Sequence, residues 1–203
     1  MTRRYPAGRR YRVAGALLAA GLLAAGCSSG TDDAAAAPSA SSGDLAHAGT
    51  DLSPCPPQTD RPAAPSDLPA LTFDCFNGGS LDLGRAPGVP TVLNLWASWC
   101  PPCRQELPVV QQLATAAGDR LRVLGVVSKD GVGQAASFAA DARATFPSAY
   151  DADGALMDDL RLRGLPYTYF LAADGSVAYV QVGPVDSVAE FEQLVAEHLG
   201  VQL

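Results

Sequence analysis

Runs of apolar residues, some alternating with polar ones and some continuous, predict strands from about residue 68 onwards. The alternating segments 71–76 and 80–83 flank Asn77-Gly78-Gly79, which is typical of a β-hairpin. Nearly continuous apolar runs indicate strands that are buried on both faces of a sheet. These runs are 90–97 and 121–127, and two further strands, 167–171 and 176–182, are joined by a second hairpin signal, Ala-Ala-Asp-Gly.

Four segments have the spacing of amphipathic helices: 101–117, 132–145, 155–163 and 187–199. Pro101 and Pro102 suit a first helical turn, whereas Pro108 lies further in and predicts a kink. Gly118 is expected to end that helix. The predicted order is β-hairpin, β-α-β-α-α-β-β-α, which favours an α/β fold with a mixed sheet and helices on both faces.

The N-terminus has the pattern of an export signal. Residues 1–12 are basic, and the apolar run 13–25 is about 20 Å long as a helix, which is shorter than the roughly 30 Å hydrocarbon core of a membrane. Leu23-Ala-Ala-Gly-Cys27 resembles a bacterial lipobox, in which the cysteine is lipidated. We therefore interpret 1–27 as a lipoprotein signal peptide with Cys27 as the lipidation site. A plain secretory signal and a retained anchor are the alternatives.

Residues 28–66 contain few large apolar side chains, so burial cannot offset the entropy of ordering them. We interpret them as a flexible tether and 67–203 as the domain.

Charge and histidine content exclude several classes of function. The chain has 203 residues and a net charge of −7, but five of its 14 basic residues precede residue 13, so the remainder is strongly acidic. An acidic body disfavours nucleic acid as a partner. With only two histidines, His47 and His198, a histidine-dependent triad or a histidine-rich metal site is hard to assemble. The sequence gives no reason to expect a cofactor or a metal.

Cys100 and Cys103 are separated by two prolines at the predicted junction between a strand and a helix. The first turn of a helix stabilises an anion, and the thiolate is the attacking form of cysteine. Cys103, one turn further, can close a disulfide or resolve a mixed disulfide. This pattern indicates dithiol-disulfide chemistry.

Two motifs resemble those of the thioredoxin superfamily: the active-site run Trp96–Cys103 and the segment Gly164–Phe170, which resembles the cis-proline loop. The extra N-terminal hairpin and the helical insert are similar to the membrane-tethered branch that includes the cytochrome c maturation reductases. The resemblance covers about residues 68–200. It implies a thioredoxin-like central sheet flanked by helices, with the hairpin and the insert added.

The resemblance also implies roles for individual residues. Cys100 would be the nucleophile and Cys103 the resolving thiol. Pro166 would be cis and would place the Leu165 backbone beside the disulfide, where it pairs with a substrate strand. We expect Trp99 to cover the site and to contact substrates.

One departure from thioredoxin concerns proton transfer. Asn94 stands where thioredoxin has a buried aspartate, and Asn cannot take up a proton. Glu106 matches a carboxylate of the tethered reductases and shares a helix face with Cys103. We predict that Glu106 accepts the Cys103 proton; the alternative is a solvated glutamate that interacts with the helix dipole.

Cys55 and Cys75 remain, and an even remainder in an oxidising compartment suggests a structural disulfide. Free thiols and a second redox relay are the alternatives. A zinc site made of all four thiolates is disfavoured because Cys55 and Cys75 do not form a second Cys-x-x-Cys pair.

The sequence thus predicts an extracytoplasmic thiol-disulfide oxidoreductase on the outer face of the cell membrane, held by lipid at Cys27. Its expected partners are protein thiols and disulfides and a membrane electron carrier. A reductant is favoured over an oxidant of secreted proteins. A peroxidase of the peroxiredoxin type is disfavoured because Ala97 stands where that chemistry needs threonine, and a non-catalytic binding lipoprotein is a further alternative.

Overall fold

The computed structural model describes residues 45–46 and 48–203. The predicted signal peptide with Cys27, most of the predicted tether up to residue 44, and His47 lie outside these residues. The strands are β1 (Thr72–Asp74), β2 (Ser80–Asp82), β3 (Thr91–Trp96), β4 (Arg122–Ser128), β5 (Ser148–Asp151), β6 (Tyr167–Leu171) and β7 (Val177–Val182). The helices are α1 (Pro101–Ala117), α2 (Val132–Asp141), α3 (Ala155–Asp159) and α4 (Val188–Leu199).

A five-stranded mixed sheet in the order β5-β4-β3-β6-β7 forms the centre of the fold. β3 and β5 each pair with β4 in parallel, and β6 pairs with β3 and β7 in the antiparallel sense. β3 is buried along its whole length, as its continuous apolar sequence predicted. The expected α/β fold is confirmed.

Alternate residues of β3 point into two apolar clusters, one on each face of the sheet. Val92 and Trp96 pack with buried residues of α1, α2 and α4. Leu93 and Leu95 pack with residues of the β1-β2 hairpin and of α3. Asn94 lies between Val92 and Trp96 in this alternation, and its side chain therefore faces α1.

One strand was missed and two helices end early, whereas the other elements lie within two residues of their predicted bounds. β5 was not predicted, because Ser148–Asp151 is short and lacks an apolar run. Helices α2 and α3 end at Asp141 and Asp159, before the predicted ends at 145 and 163. The second residue after each helix, Arg143 and Arg161, has a positive φ of 55° and 54°, which stops the helix without the glycine that usually marks such a position.

Residues 48–66, predicted to belong to the tether, pack against the domain instead. Leu52 is only 1% exposed and belongs to the cluster beneath α1. The backbone N–H groups of Ser53 and Ala63 donate to the carbonyls of Thr145 and Gly84. The domain therefore begins before residue 67, because scattered apolar residues and backbone hydrogen bonds order a segment whose composition is typical of a linker.

A disulfide between Cys55 and Cys75, with Cα atoms 5.9 Å apart, joins this segment to the hairpin. Cys75 also forms an antiparallel bridge with Ala149 of β5, and the next residue, Phe76, donates its N–H to the Ser148 carbonyl. The end of the hairpin thus covers the β5 edge of the central sheet. Within the described part of the chain, no helix is both long enough and apolar enough to span a membrane.

Candidate active site

The redox pair lies where β3 ends and α1 begins. Cys100 caps α1, and its sulfur accepts a hydrogen bond of 3.2 Å from the Cys103 N–H. The two cysteines form a disulfide with a Cα–Cα separation of 5.2 Å. Both are buried, Cys100 with 1% and Cys103 with 0% of its surface exposed. A helix terminus with a free N–H directed at sulfur stabilises a thiolate at Cys100 once the disulfide is reduced.

Ser98 and Trp99, which precede Cys100, are hydrogen-bonded to the two residues that directly follow β4. The Ser98 Oγ donates to an Asp130 carboxylate oxygen at 2.9 Å, and the Ser98 N–H donates to the other oxygen of that carboxylate. Trp99 is 51% exposed, and its indole N–H donates to the Lys129 carbonyl at 2.7 Å. The indole beside Cys100 is therefore both accessible and fixed in orientation.

Lys129 and Asp130 were not identified from the sequence. The available signal was their position directly after a buried strand that lies parallel to β3, because the carboxyl ends of neighbouring parallel strands meet at one edge of a sheet.

The cis-proline loop lies at the same edge. β6 runs antiparallel to β3 with Tyr167 opposite Leu95, so the residues that precede β6 lie beside the end of β3. The Leu165–Pro166 peptide bond is cis, and the Pro166 carbonyl accepts the Gly183 N–H at 3.1 Å. Trp99, Leu165 and Pro166 thus lie on elements that converge at the end of β3.

Glu106 lies one turn after Cys103 and is buried, with 1% of its surface exposed. Its Oε2 accepts a hydrogen bond of 2.9 Å from the Asn94 side-chain amide, and its Oε1 accepts the Val185 N–H at 3.0 Å. The Asn94 amide donates a second hydrogen bond, also 2.9 Å, to the Thr168 hydroxyl. Glu106 is therefore not a solvated charge on the first turn, and Asn94, which was discounted for proton transfer, contacts it directly.

Burial raises the pKa of Glu106 from 4.5 to about 7, because a carboxylate loses hydration in the interior. The hydrogen bonds from Asn94 and Val185 favour the charged form and lower the pKa, whereas the nearby Asp186 raises it. A carboxyl group with this pKa can exchange protons near neutral pH.

The two disulfides lie on opposite faces of the central sheet. Cys100 and Cys103 belong to the cluster under α1, and Cys55 and Cys75 to the cluster under the hairpin. The sheet separates the pairs, so this structure brings no second thiol pair to the active site. Across residues 45–46 and 48–203, no three His, Cys, Asp or Glu side chains gather in a group that could hold a metal ion.

Comparison with known proteins agrees with this geometry. The family model described as Redoxin matches residues 63–195. The chain belongs to the redoxin family. The matched residues include the Cys100–Cys103 disulfide, the Leu165–Pro166 bond and Glu106.

Similar proteins carry names from disulfide chemistry. The chain is 33% identical over 152 residues to the thiol:disulfide interchange protein CycY of Rhizobium leguminosarum bv. viciae, covering 74% of this chain and 72% of the relative. It is 31% identical over 148 residues to the thiol:disulfide interchange protein DsbE of Allochromatium vinosum, covering 71% and 79%.

A solved structure of a secreted disulfide oxidoreductase of Mycobacterium tuberculosis, homologous to E. coli DsbE, matches with a TM-score of 0.55 and 28% identity, covering 63% of this chain and 96% of that one. Together with the family match, these relatives identify the chain as a thiol-disulfide oxidoreductase of the thioredoxin superfamily.

Proposed function

We propose that the chain is an extracytoplasmic, lipid-anchored reductant that passes two electrons from a Cys100–Cys103 dithiol to disulfides of client proteins. The observation that carries the proposal is the buried Glu106 carboxylate one helical turn from the resolving cysteine, where it can take up the proton that the reaction releases.

The reaction starts with the reduced enzyme. The Cys100 thiolate attacks one sulfur of the client disulfide; that bond breaks, a mixed disulfide forms, and the first client thiolate leaves and takes a proton from water. The Cys103 thiol gives its proton to Glu106, and the resulting thiolate attacks the Cys100 sulfur. The second client thiolate then leaves, and the enzyme is left with the Cys100–Cys103 disulfide. A membrane electron carrier with a dithiol reverses these steps and restores the reduced enzyme.

Client binding uses the surface that surrounds the disulfide. The exposed indole of Trp99 supplies an apolar contact next to Cys100. The backbone of Leu165 pairs with an extended client segment, because Leu165 lies beside the end of β3 and outside the paired strands of the sheet.

The location is supported by the relatives and by the N-terminal pattern, and the direction by the resemblance to the membrane-tethered branch. The relatives named above include thiol:disulfide interchange proteins and one that is described as secreted. The basic residues, the short apolar run and the lipobox-like Leu23–Cys27 support export followed by lipidation at Cys27. The two disulfides among the described residues are compatible with an oxidising compartment.

The equilibrium reduction potential of the Cys100–Cys103 pair tests the direction of electron flow. We expect a value at or below about −220 mV, since thioredoxin lies near −270 mV and the oxidant DsbA near −120 mV. A value above about −150 mV would contradict the proposal and indicate an oxidant of secreted proteins. The variant that lacks both Cys55 and Cys75 is the control that assigns the measured potential to the active-site pair.

Serine variants test the roles of the two cysteines. Cys100→Ser should abolish disulfide reduction, because no thiolate remains at the helix terminus. Cys103→Ser should accumulate mixed disulfides with clients, visible on non-reducing gels. A fully active Cys100→Ser protein would refute the assignment.

A further inference from the structure

Three buried side-chain polar atoms in the described part of the chain have no hydrogen-bond partner, and one of them, Oδ1 of Asn94, belongs to a residue that contacts Glu106. The other two are Trp96 Nε1 and Ser148 Oγ. Asn94 is fully buried. Its amide nitrogen donates both protons, one to Glu106 and one to Thr168, each over 2.9 Å. Buried polar atoms usually have partners, so this unpaired oxygen calls for an explanation.

The observed hydrogen bonds to Glu106 both come from donors, which suits its ionised form. Oε1 accepts from the Val185 backbone N–H, which can donate but cannot accept. Oε2 faces the Asn94 amide nitrogen, which in this orientation is also a donor. When Glu106 is neutral, its acid O–H therefore has no acceptor among these hydrogen-bond partners.

We propose that Asn94 and Thr168 are positioning residues that hold Glu106 in both its charged and its neutral form by rotation of the Asn94 amide. A half turn of the amide exchanges its nitrogen and oxygen. Oδ1 then accepts from the Glu106 O–H, and the amide nitrogen takes the unpartnered position that Oδ1 held.

Thr168 makes this rotation possible because a hydroxyl can both accept and donate. It accepts from the Asn94 amide in the observed state and donates to Oδ1 after the rotation. Asn94 and Thr168 lie directly opposite each other on β3 and β6, so the pairing of the strands keeps the two side chains in reach. Rotation about one terminal bond needs no backbone movement.

The inference rests on the proposed function, in which Glu106 accepts the Cys103 proton and releases it again in every cycle. Glu106 shares a face of α1 with Cys103 and lies near Asp186, which precedes α4, whereas the sheet presents the neutral side chains of Asn94 and Thr168. Of these neighbours, the Asn94 amide can change from donor to acceptor as Glu106 becomes neutral. Asn94, which cannot itself take up a proton, thus keeps Glu106 hydrogen-bonded throughout the reaction.

NMR of the full chain labelled with ¹³C and ¹⁵N, in its oxidised form, tests the rotation directly. At pH 9 the Asn94 amide protons should show cross-peaks to the Thr168 side chain. These should weaken at pH 5, with a midpoint equal to that of the Glu106 carboxyl carbon. Glu106→Gln supplies a donor in place of the acid O–H, and the rotated pattern should then persist at every pH. Unchanged cross-peaks between pH 5 and 9 and in Glu106→Gln would overturn the inference.

Kinetics of mixed-disulfide resolution with a model peptide provide a second measurement. Thr168→Val conserves shape but removes the hydroxyl, and resolution should slow about tenfold, the usual effect of one lost hydrogen bond. Thr168→Ser, which keeps the hydroxyl, should recover most of the rate. Thr91→Val removes a buried hydroxyl bonded to the Val89 carbonyl elsewhere on β3 and serves as the control. Equal rates for Thr168→Val and Thr168→Ser would contradict the role of the hydroxyl.

The two measurements separate this inference from the proposed function. If the chain does not exchange disulfides, the pH-dependent cross-peaks still decide whether the amide rotates. If exchange is normal and the cross-peaks do not change, the inference alone fails.

Discussion

The stability of the oxidised protein should depend on pH through Glu106, and Glu106→Gln should remove that dependence. Burial raises the pKa of Glu106 to about 7 in the folded chain, against 4.5 without burial. Between these values the folded state binds a proton that the unfolded state has released. The free energy of unfolding therefore falls as pH rises from about 4.5 to 7.

The expected size follows from the pKa difference. Each pKa unit corresponds to about 1.4 kcal/mol, so Glu106 should destabilise the protein by about 3 kcal/mol at pH 8 relative to pH 4. Glutamine has nearly the same shape and no charge. The difference in unfolding free energy, wild type minus Glu106→Gln, should thus become more negative by about 3 kcal/mol over this range.

Urea unfolding of both oxidised proteins at pH 4, 5, 6, 7 and 8 measures this difference. Other buried groups that titrate, such as Asp151, are present in both proteins and cancel. If the glutamine side chain changes the unfolding free energy by the same amount at every pH, the plot of the difference against pH shifts but keeps its slope. Glu197→Gln, on the exposed surface of α4, is the control for loss of one carboxylate. A difference that stays flat from pH 4 to 8 would refute the conclusion that Glu106 is held in a desolvated site.

Three further changes test the structure outside Glu106. Leu52→Ala should lower the unfolding free energy by about 3 kcal/mol in urea titrations, because it empties a buried site in the segment 48–66; a loss below about 1 kcal/mol would place this segment outside the core. Replacing both Cys55 and Cys75 by alanine should cost about 3 kcal/mol, as expected for a cross-link that closes a loop of about 20 residues, and unchanged stability would contradict a structural role. Asp130→Ala should cost about 2 kcal/mol, because two charge-assisted hydrogen bonds to the residue before Trp99 are lost, and a urea midpoint equal to that of the wild type would count against this anchoring.

The central strands and the redox pair could be predicted because each depends on local sequence. The sequences of β3 and β4 are continuous apolar runs, which are typical of strands buried in a sheet. The spacing of Cys100 and Cys103, and their position at the start of a helix, can be read from the local sequence. Residues 48–66 show the opposite case, since their composition is that of a linker while the buried Leu52 and a disulfide attach part of them to the domain.

The contacts of Glu106 could not be predicted, because they depend on how three separate elements meet. The sequence placed Glu106 on the same helix face as Cys103, but its link to Asn94 requires the packing of α1 against β3. The link from Asn94 to Thr168 requires the register between β3 and β6, which are 74 residues apart at this point. Contacts of this range follow from the assembled sheet and have no local pattern.

The disulfide at the end of the hairpin also bears on how the protein avoids self-association. Cys75 and Phe76 cover the backbone of β5, a strand that would otherwise offer unpaired N–H and C=O groups to a neighbouring chain. The bond to Cys55 fastens this cover to the segment that leads into the domain. One residue, Cys75, thus takes part both in covering the exposed edge of the sheet and in the structural cross-link.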